Sequence, residues 1–596
     1  MANGDGTAPL WDMTPIFPAL DSAEFEAAFE AALQGIDDLA ALFDVQNVRR
    51  RESATVNGAF VAAYEQITGR MSALNEQLRV LGSYIGCFTT TDAKDDAAKS
   101  LESELSTRRV TMGKLSTRYV AWVGTSDVDA LLSQSELAKE HEYPIRRAHY
   151  QAQHQMSPVE EELAAELGAS SLTGWAKLHG TLTALLTATL PIRGEAQTLP
   201  MSSLRGLASD PDREIRKAAF EAEQQAWEAN AVPLAAALNG VKGYQQTVRK
   251  RRGYTDDVEP TLFANGIDRQ TLDAMQAACV ESFPDFRRYM DAKAKLLGLE
   301  RLAWYDLNAP VGATVKSYAF GEAETFLQEN FGRYSPRLAE FAERSFRERW
   351  VDAPPRFGKQ GGAYCTGLRP GESRIFMNYD GSFNSVSTLA HELGHAYHNL
   401  NLAERKPMLR SSPSTLAETA SIFCETLAFD AALEQSGSEE RLSLLSTVLE
   451  RNLMVVVDIH SRFLFEKAVF EKRSVRDLTV AEFCALMTDA QRQTYGSRVE
   501  PLHPYMWAVK GHYYNSGFYN YPYTFGLLFG LGLYACYLKE PDAFRAQYDN
   551  LLSSTGMADA KTLGERFGFD ITTEDFWRSS LEVIRMQIAE FERLVG

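Results

Sequence analysis

Three of the chain's ten histidines fall within eight residues, His391-Glu392-Leu393-Gly394-His395-Ala396-Tyr397-His398. The run contains H-E-x-x-H, a pattern with a strict geometric requirement. Two imidazoles at i and i+4 reach one metal ion when the segment is helical, which sets both on one face a turn apart. The glutamate between them then projects beside the ion, where it can serve as a general base. The preceding residues agree, since Val386, Leu389, Ala390 and Leu393 recur at helical spacing. Asn384 or Ser385 is placed to cap that helix. The fold must therefore hold this helix against an element that supplies what the motif lacks.

A catalytic zinc takes three protein ligands and keeps one position open. Metzincin spacing requires glycine at 398 and histidine at 401, where this chain has His398 and Asn401. Aminopeptidase spacing, with eighteen residues between the second histidine and a glutamate, points at Ser414 and fails too. No spacing class gives His398 a metal. The segment 412–426 reads as the next helix, with Ser412 as N-cap and Pro413 at its first position. Its Glu418, 23 residues after His395, is the expected third ligand. Glu425, two turns further along the same face, is either a group orienting a ligand histidine or a plain helix carboxylate.

Two other segments carry chemistry. Lys510–Tyr523 holds five tyrosines, one histidine and two glycines. Peptide hydrolysis passes through a tetrahedral oxyanion, and a phenol or imidazolium donor aimed at it lowers the barrier by a few kcal/mol. Any one of these tyrosines reads more readily as packing; the cluster reads as function. Upstream, the small-residue run Gly361–Gly367 precedes the strand-like Ser373–Tyr379. Paired strands there either bind an extended peptide through main-chain hydrogen bonds or simply brace the motif helix.

His391–His398, Glu418 and His512–Tyr523 together resemble the thimet-oligopeptidase-like zinc metallopeptidases, in particular the oligoendopeptidase F branch. Gly361-Gly362-Ala363-Tyr364, Ile375–Tyr379 and Trp304–Leu307 also match, and the resemblance covers roughly residues 200–590. It implies one zinc ion held by His391, His395 and Glu418, with Glu392 as general base. It implies that His512, Tyr514 and Tyr521 contact the substrate carbonyl and oxyanion; the loop joining them is the shorter version, with an extra Ser516-Gly517. Gly362, Ala363 and Tyr364 are implied to bind substrate, with Tyr519 a further candidate. The fold implied is mainly α and two-lobed, with one small β-sheet beside the zinc-binding helix and a deep substrate channel. Such a channel admits short unstructured peptides for internal cleavage. Residues 1–200 are expected to form an N-terminal helical lobe and 201–596 the catalytic domain.

Helical pattern recurs at 21–45, 91–122, from the Ser157/Glu160 capping box, at 210–250, 268–297, 319–348, 437–470, 479–493, 541–553 and 573–594. Strand signal is confined to 303–311 and 357–379, and 192–203 reads as irregular. The basic run Arg249–Arg252 reads as a solvated helix end before Gly253. A net charge of -18 disfavours nucleic acid and anionic membrane as partners, and no obligate protein partner is evident. Six scattered cysteines without C-x-x-C point to reduced thiols and a cytoplasmic setting. Residues 1–7 lack the basic-then-apolar pattern of a secretory leader. Phe525–Cys536 is too short an apolar run to span a bilayer and reads as a buried helix. Two other functions stay open: a metallo-carboxypeptidase of related helical fold, and an inactive helical peptide-binding protein.

Overall fold

The computed structural model describes residues 8–312 and 316–596; the leader reading at 1–7 lies outside them. Helices form where apolar periodicity and capping residues coincide. Ala23–Val45 starts at Ser22, whose hydroxyl accepts from Phe25 N, and buries Phe25, Phe29, Ile36 and Phe43 on one face. Pro158–Ser170 opens with the Ser157/Glu160 capping box. Arg213–Arg251 ends in the basic run, with Gly253 beyond it at φ 74. There Arg249, Arg251 and Arg252 pair with Asp257, Glu160 and Glu161. The 319–348 stretch is two helices, Phe320–Tyr334 and Pro336–Arg347, because Pro336 has no amide hydrogen with which to continue the first. The 437–470 stretch is likewise divided, by a π-turn at Met454–Asp458.

The strands differ from the sequence expectation in two places. The 303–311 signal is a 3-10 turn, Trp304–Asp306. The buried Asp306 carboxylate accepts from Ala303 N at 3.0 Å and is held by Arg213 and Arg216, which folds the chain back instead of extending it. The described residues also form two small sheets where one is expected. Strands β1 (Thr187–Ile192) and β2 (Glu195–Pro200) make an antiparallel hairpin, whose turn and second strand fall in the 192–203 stretch read as irregular. Its two-residue turn, Arg193-Gly194, has both residues at positive φ, the geometry that suits the strand twist. The second sheet joins β3 (Val351–Asp352), β4 (Tyr364–Arg369) and β5 (Glu372–Phe376) in the order β3-β5-β4. Strand β5 runs parallel to β3 and antiparallel to β4, leaving β4 at an edge.

The chain forms two compact units, each assembled from three stretches. The first comprises Met1–Gln155, Lys316–Glu434 and Cys536–Phe567. Its core runs from Phe25 and Phe43 through Tyr64 and Ile85 to Trp122 and to Leu368 of β4. The second comprises Met156–Val315, Gln435–Ala535 and Gly568–Gly596, with Trp227, Leu238, Phe465, Phe483 and Trp507 at its centre. Position 200 falls inside the second unit, at the end of β2. Among the described residues no helix is long and apolar enough to cross a membrane.

Candidate active site

The motif helix spans Phe383–Leu402. Its N-cap is Ser382, one turn earlier than Ser385: the Ser382 hydroxyl accepts from Ser385 N at 3.2 Å. Ser385 instead donates its hydroxyl to Asp380. The helix read across 412–426 breaks in two. A single turn, Ser414–Ala417, follows Pro413, and Thr419–Gln435 begins after Glu418, which sits at φ -84, ψ 5. Glu418 therefore projects from a helix junction, not from a continuous face.

That junction meets the motif helix. Glu418 Oε2 lies 3.2 Å from His391 Nε2 and 3.4 Å from His395 Nε2, and Ser421 Oγ donates to it at 2.7 Å. One ligand atom from each of the three residues lies within 4.8 Å of the others. Two imidazole nitrogens and a carboxylate oxygen form a donor set that zinc accepts. Each histidine is also held from behind. His391 Nδ1 faces Glu425 Oε2 at 3.1 Å, while Ser387 Oγ donates to the other oxygen of Glu425. His395 hydrogen-bonds the main chain of Ala417. Glu425 is thus a group that orients His391, leaving Nε2 to face Glu418. His398 lines the same cavity but is not one of the three converging residues; it is buried, its Nε2 2.8 Å from Thr555 Oγ1.

Burial sets the electrostatics. It lowers His395 to about 4 against the opposing charge of Glu418, so the imidazole is neutral and offers a lone pair. Burial also pushes Glu418 upward. The hydrogen bond from His391, the nearby His395 and the Ser421 hydroxyl outweigh it, and the carboxyl stays well below the usual range. Glu392 goes the other way: burial raises it to about 7, opposed by His391 and reinforced by Glu418. Its Oε2 is buried without a hydrogen-bond partner.

Gly394, read in the sequence as a free position of the motif, sets the helix approach. A Cβ there would lie 2.6 Å from Ala420 O and Ser421 Cα. A glycine inside a helix, between two ligand histidines, is the signal that could have revealed it. A cavity of about 390 Å³ lies against the triad and Glu392, lined also by Ala363, Tyr364, Cys365 and Arg410. Gly362 leads into β4 at φ 92, a region glycine enters without steric cost. The Tyr364 side chain turns to packing, its hydroxyl 2.7 Å from Thr90 Oγ1 and its ring stacked on Phe376. Arg79 caps the carbonyls of Gly367 and Leu368 at the far end of β4.

The other expected residues lie in the second unit. Tyr521 heads the helix Tyr521–Lys539 and is 1% exposed. Asn265 Nδ2 donates to its hydroxyl at 3.3 Å, and Thr261 Oγ1 lies 3.4 Å from the same oxygen. Burial raises this phenol to about 12, with Thr261 and Asn265 opposing. His512 packs tilted against the exposed Tyr519, ring centroids 4.7 Å apart. Tyr514 departs from the expected donor role. It is fully buried, stacked on His179 at 3.9 Å, and its hydroxyl donates to Leu234 O. A tyrosine-rich sequence does not show which ring faces the core.

The chain is similar to known proteins along most of its length. One is an oligoendopeptidase F homolog of Lactococcus lactis subsp. lactis, 22% identical across 89% of this chain and 90% of its own. Another is oligopeptidase PepF of Bacillus subtilis, also 22% identical, across 98% of this chain and 87% of its own. Among solved structures, oligoendopeptidase-F from Enterococcus faecium has a TM-score of 0.71 at 18% identity, covering 96% of this chain and 99% of that one. A Chlamydophila abortus chain reaches 0.84 at 20% identity, over 98% of each. These structures establish the fold. The model of peptidase family M3 matches residues 206–583. A match over more than half the sequence, with the H-E-x-x-H helix and Glu418 inside it, decides identity: the chain belongs to peptidase family M3, in its oligoendopeptidase F branch, and is a metalloendopeptidase.

Proposed function

We propose that this enzyme is a zinc-dependent oligopeptidase that hydrolyses internal bonds of short unstructured peptides, with Glu392 as general base. The observation that carries the reading is the convergence of His391, His395 and Glu418 beside a buried, unpartnered Glu392 oxygen. His391, His395 and Glu418 would hold the zinc, which when bound would supply Lewis acidity to a carbonyl and to water. Glu392, raised by burial to about 7, takes that proton as water attacks the scissile carbonyl. It then returns the proton to the leaving amine, and a group poised near the working pH does both efficiently. Tyr521 donates to the developing oxyanion. His512 and Tyr519 contact substrate, and Tyr514 keeps its packing role.

The edge of β4 at Ala363–Tyr364 pairs with the main chain of an extended peptide, with Gly362 leaving room for it. Main-chain pairing needs no particular side chain, which suits an enzyme for varied peptides. The relatives named as oligopeptidases support the substrate class. The cytoplasmic setting goes with six unpaired cysteines, since thiols persist in reducing compartments.

The test is digestion of a mixture of unstructured peptides, read by mass spectrometry with and without a zinc chelator. Internal cuts that vanish on chelation and return with zinc are expected. Glu392→Gln should abolish turnover while retaining one zinc per chain. Retained turnover in that variant would remove Glu392 from its role, and loss of single C-terminal residues would point to a carboxypeptidase.

A further inference from the structure

Three residues of the second unit form one chain of contacts behind His512. Arg462 pairs through Nη2 with Asp458 and donates from Nη1 to Asn520 Oδ1 at 3.2 Å. His512 Nδ1 meets the same Asn520 oxygen at 3.1 Å. Asp458, Arg462 and Asn520 are 5%, 6% and 3% exposed, so all three are withdrawn from water. A buried ion pair is expensive to desolvate and is weak evidence of stability, so this one calls for another reason. The π-turn at Met454–Asp458 ends on its acidic member, and such turns concentrate at functional sites.

The hydrogen bonding admits one proton arrangement. A guanidinium has donors only, so the Asn520 atom facing Arg462 is the amide oxygen, and a flipped amide would set donor against donor. His512 Nδ1 faces that oxygen and therefore carries a hydrogen. In a neutral imidazole, a hydrogen on Nδ1 leaves Nε2 as a bare acceptor. The rings of Tyr519, tilted against it at 4.7 Å, and Tyr523, stacked at 6.3 Å, flank the imidazole.

We infer that Arg462 and Asn520 are positioning residues that lock His512 in its Nδ1–H tautomer. The neutral ring then meets a peptide substrate as an acceptor of a main-chain N–H, and does not donate to the oxyanion. The inference rests on the placement of His512 in the substrate site proposed above. It leaves oxyanion donation to Tyr521. It also gives His512 a contact that nearly every peptide residue can satisfy, whatever its side chain.

The test uses the zinc-loaded enzyme and a peptide series in which one main-chain NH at a time, away from the scissile bond, is replaced by an ester oxygen. One ester position should cost the wild type about tenfold in kcat/KM, the loss of one neutral hydrogen bond. The same ester should cost His512→Phe nothing further. Asn520→Leu should behave as His512→Phe does, whereas Asn520→Asp, which keeps an oxygen toward both neighbours, should retain most activity. Nitrogen NMR of histidine-labelled enzyme gives a second readout. At neutral pH the His512 Nε2 resonance should be unprotonated in wild type and should shift toward the protonated form in Asn520→Leu. A protonated Nε2 in neutral wild-type His512 would overturn the lock. So would wild-type kinetics in Asn520→Leu alongside a defective His512→Phe. A series with no costly ester position would overturn the acceptor role. Full activity in His512→Phe would remove His512 from the site, leaving the Glu392→Gln and chelation results to stand separately.

Discussion

Gly394→Ala is the smallest substitution that should disable the metal site without touching a ligand. The added Cβ would lie 2.6 Å from Ala420 O and Ser421 Cα. Both are backbone atoms, which cannot swing aside as a side chain can. Restoring an ordinary contact of 3.4 Å means parting the helices by roughly 0.8 Å. Glu418 lies at the start of the displaced helix, and metal–ligand distances tolerate only about 0.2 Å. Overpacking of this kind costs about 1–3 kcal/mol in stability, and loosening one ligand should cost at least about tenfold in zinc affinity. Competition against a chromogenic chelator measures the affinity, and thermal unfolding of the zinc-free protein measures the packing cost. Gly69→Ala is the control, since it lies in the helix Gly58–Thr91 with nothing within 4 Å of the place its methyl group would take. It should gain about 0.5–1 kcal/mol from reduced backbone entropy. Wild-type zinc affinity and stability in Gly394→Ala would refute the idea that helix approach at this residue sets Glu418.

Further outcomes follow from the same contacts. Glu425→Ala frees His391 Nδ1 and should weaken zinc binding about 10–100-fold, read by the same chelator competition, while Glu425→Gln keeps an acceptor and should lose less. Tyr521→Phe should lower kcat about 100-fold with KM and zinc content little changed, by steady-state kinetics on a single peptide. His460, buried edge-on to Phe283, is lowered by burial from 6.5 to about 4. The unfolded chain therefore binds more protons between those values, and stability is lost as pH falls through that window. By pH 5 the loss is about 2 kcal/mol. Comparing unfolding midpoints at pH 7.5 and 5 should show a smaller acid-induced drop in His460→Leu than in wild type.

The motif helix was legible because its signal is local. Apolar spacing, two histidines a turn apart and a glutamate between them specify the helix and the candidate ligands and base within a few turns. Glu418 was legible by elimination among spacings, and the Ser157 capping box and the Gly253 stop by their short-range chemistry. Other features depend on residues distant in sequence. Asp306 turns its segment into a 3-10 turn because Arg213 and Arg216, about ninety positions away, pair with it. Tyr514 is a core residue because His179 and Leu234 receive it. Glu425 orients a ligand because Ser387 and His391 stand opposite.

By itself, then, the sequence determined the motif helix and a largely helical chain and singled out His391, Glu392, His395 and Glu418 as the residues proposed to act, since periodicity and spacing along a few turns suffice for these. Tertiary structure alone decided that the helix junction at Glu418 meets that helix across Gly394, and that Asn520 hands His512 its tautomer. Those outcomes depend on backbone separations of a few tenths of an ångström and on partners far apart in the chain, which no local pattern encodes.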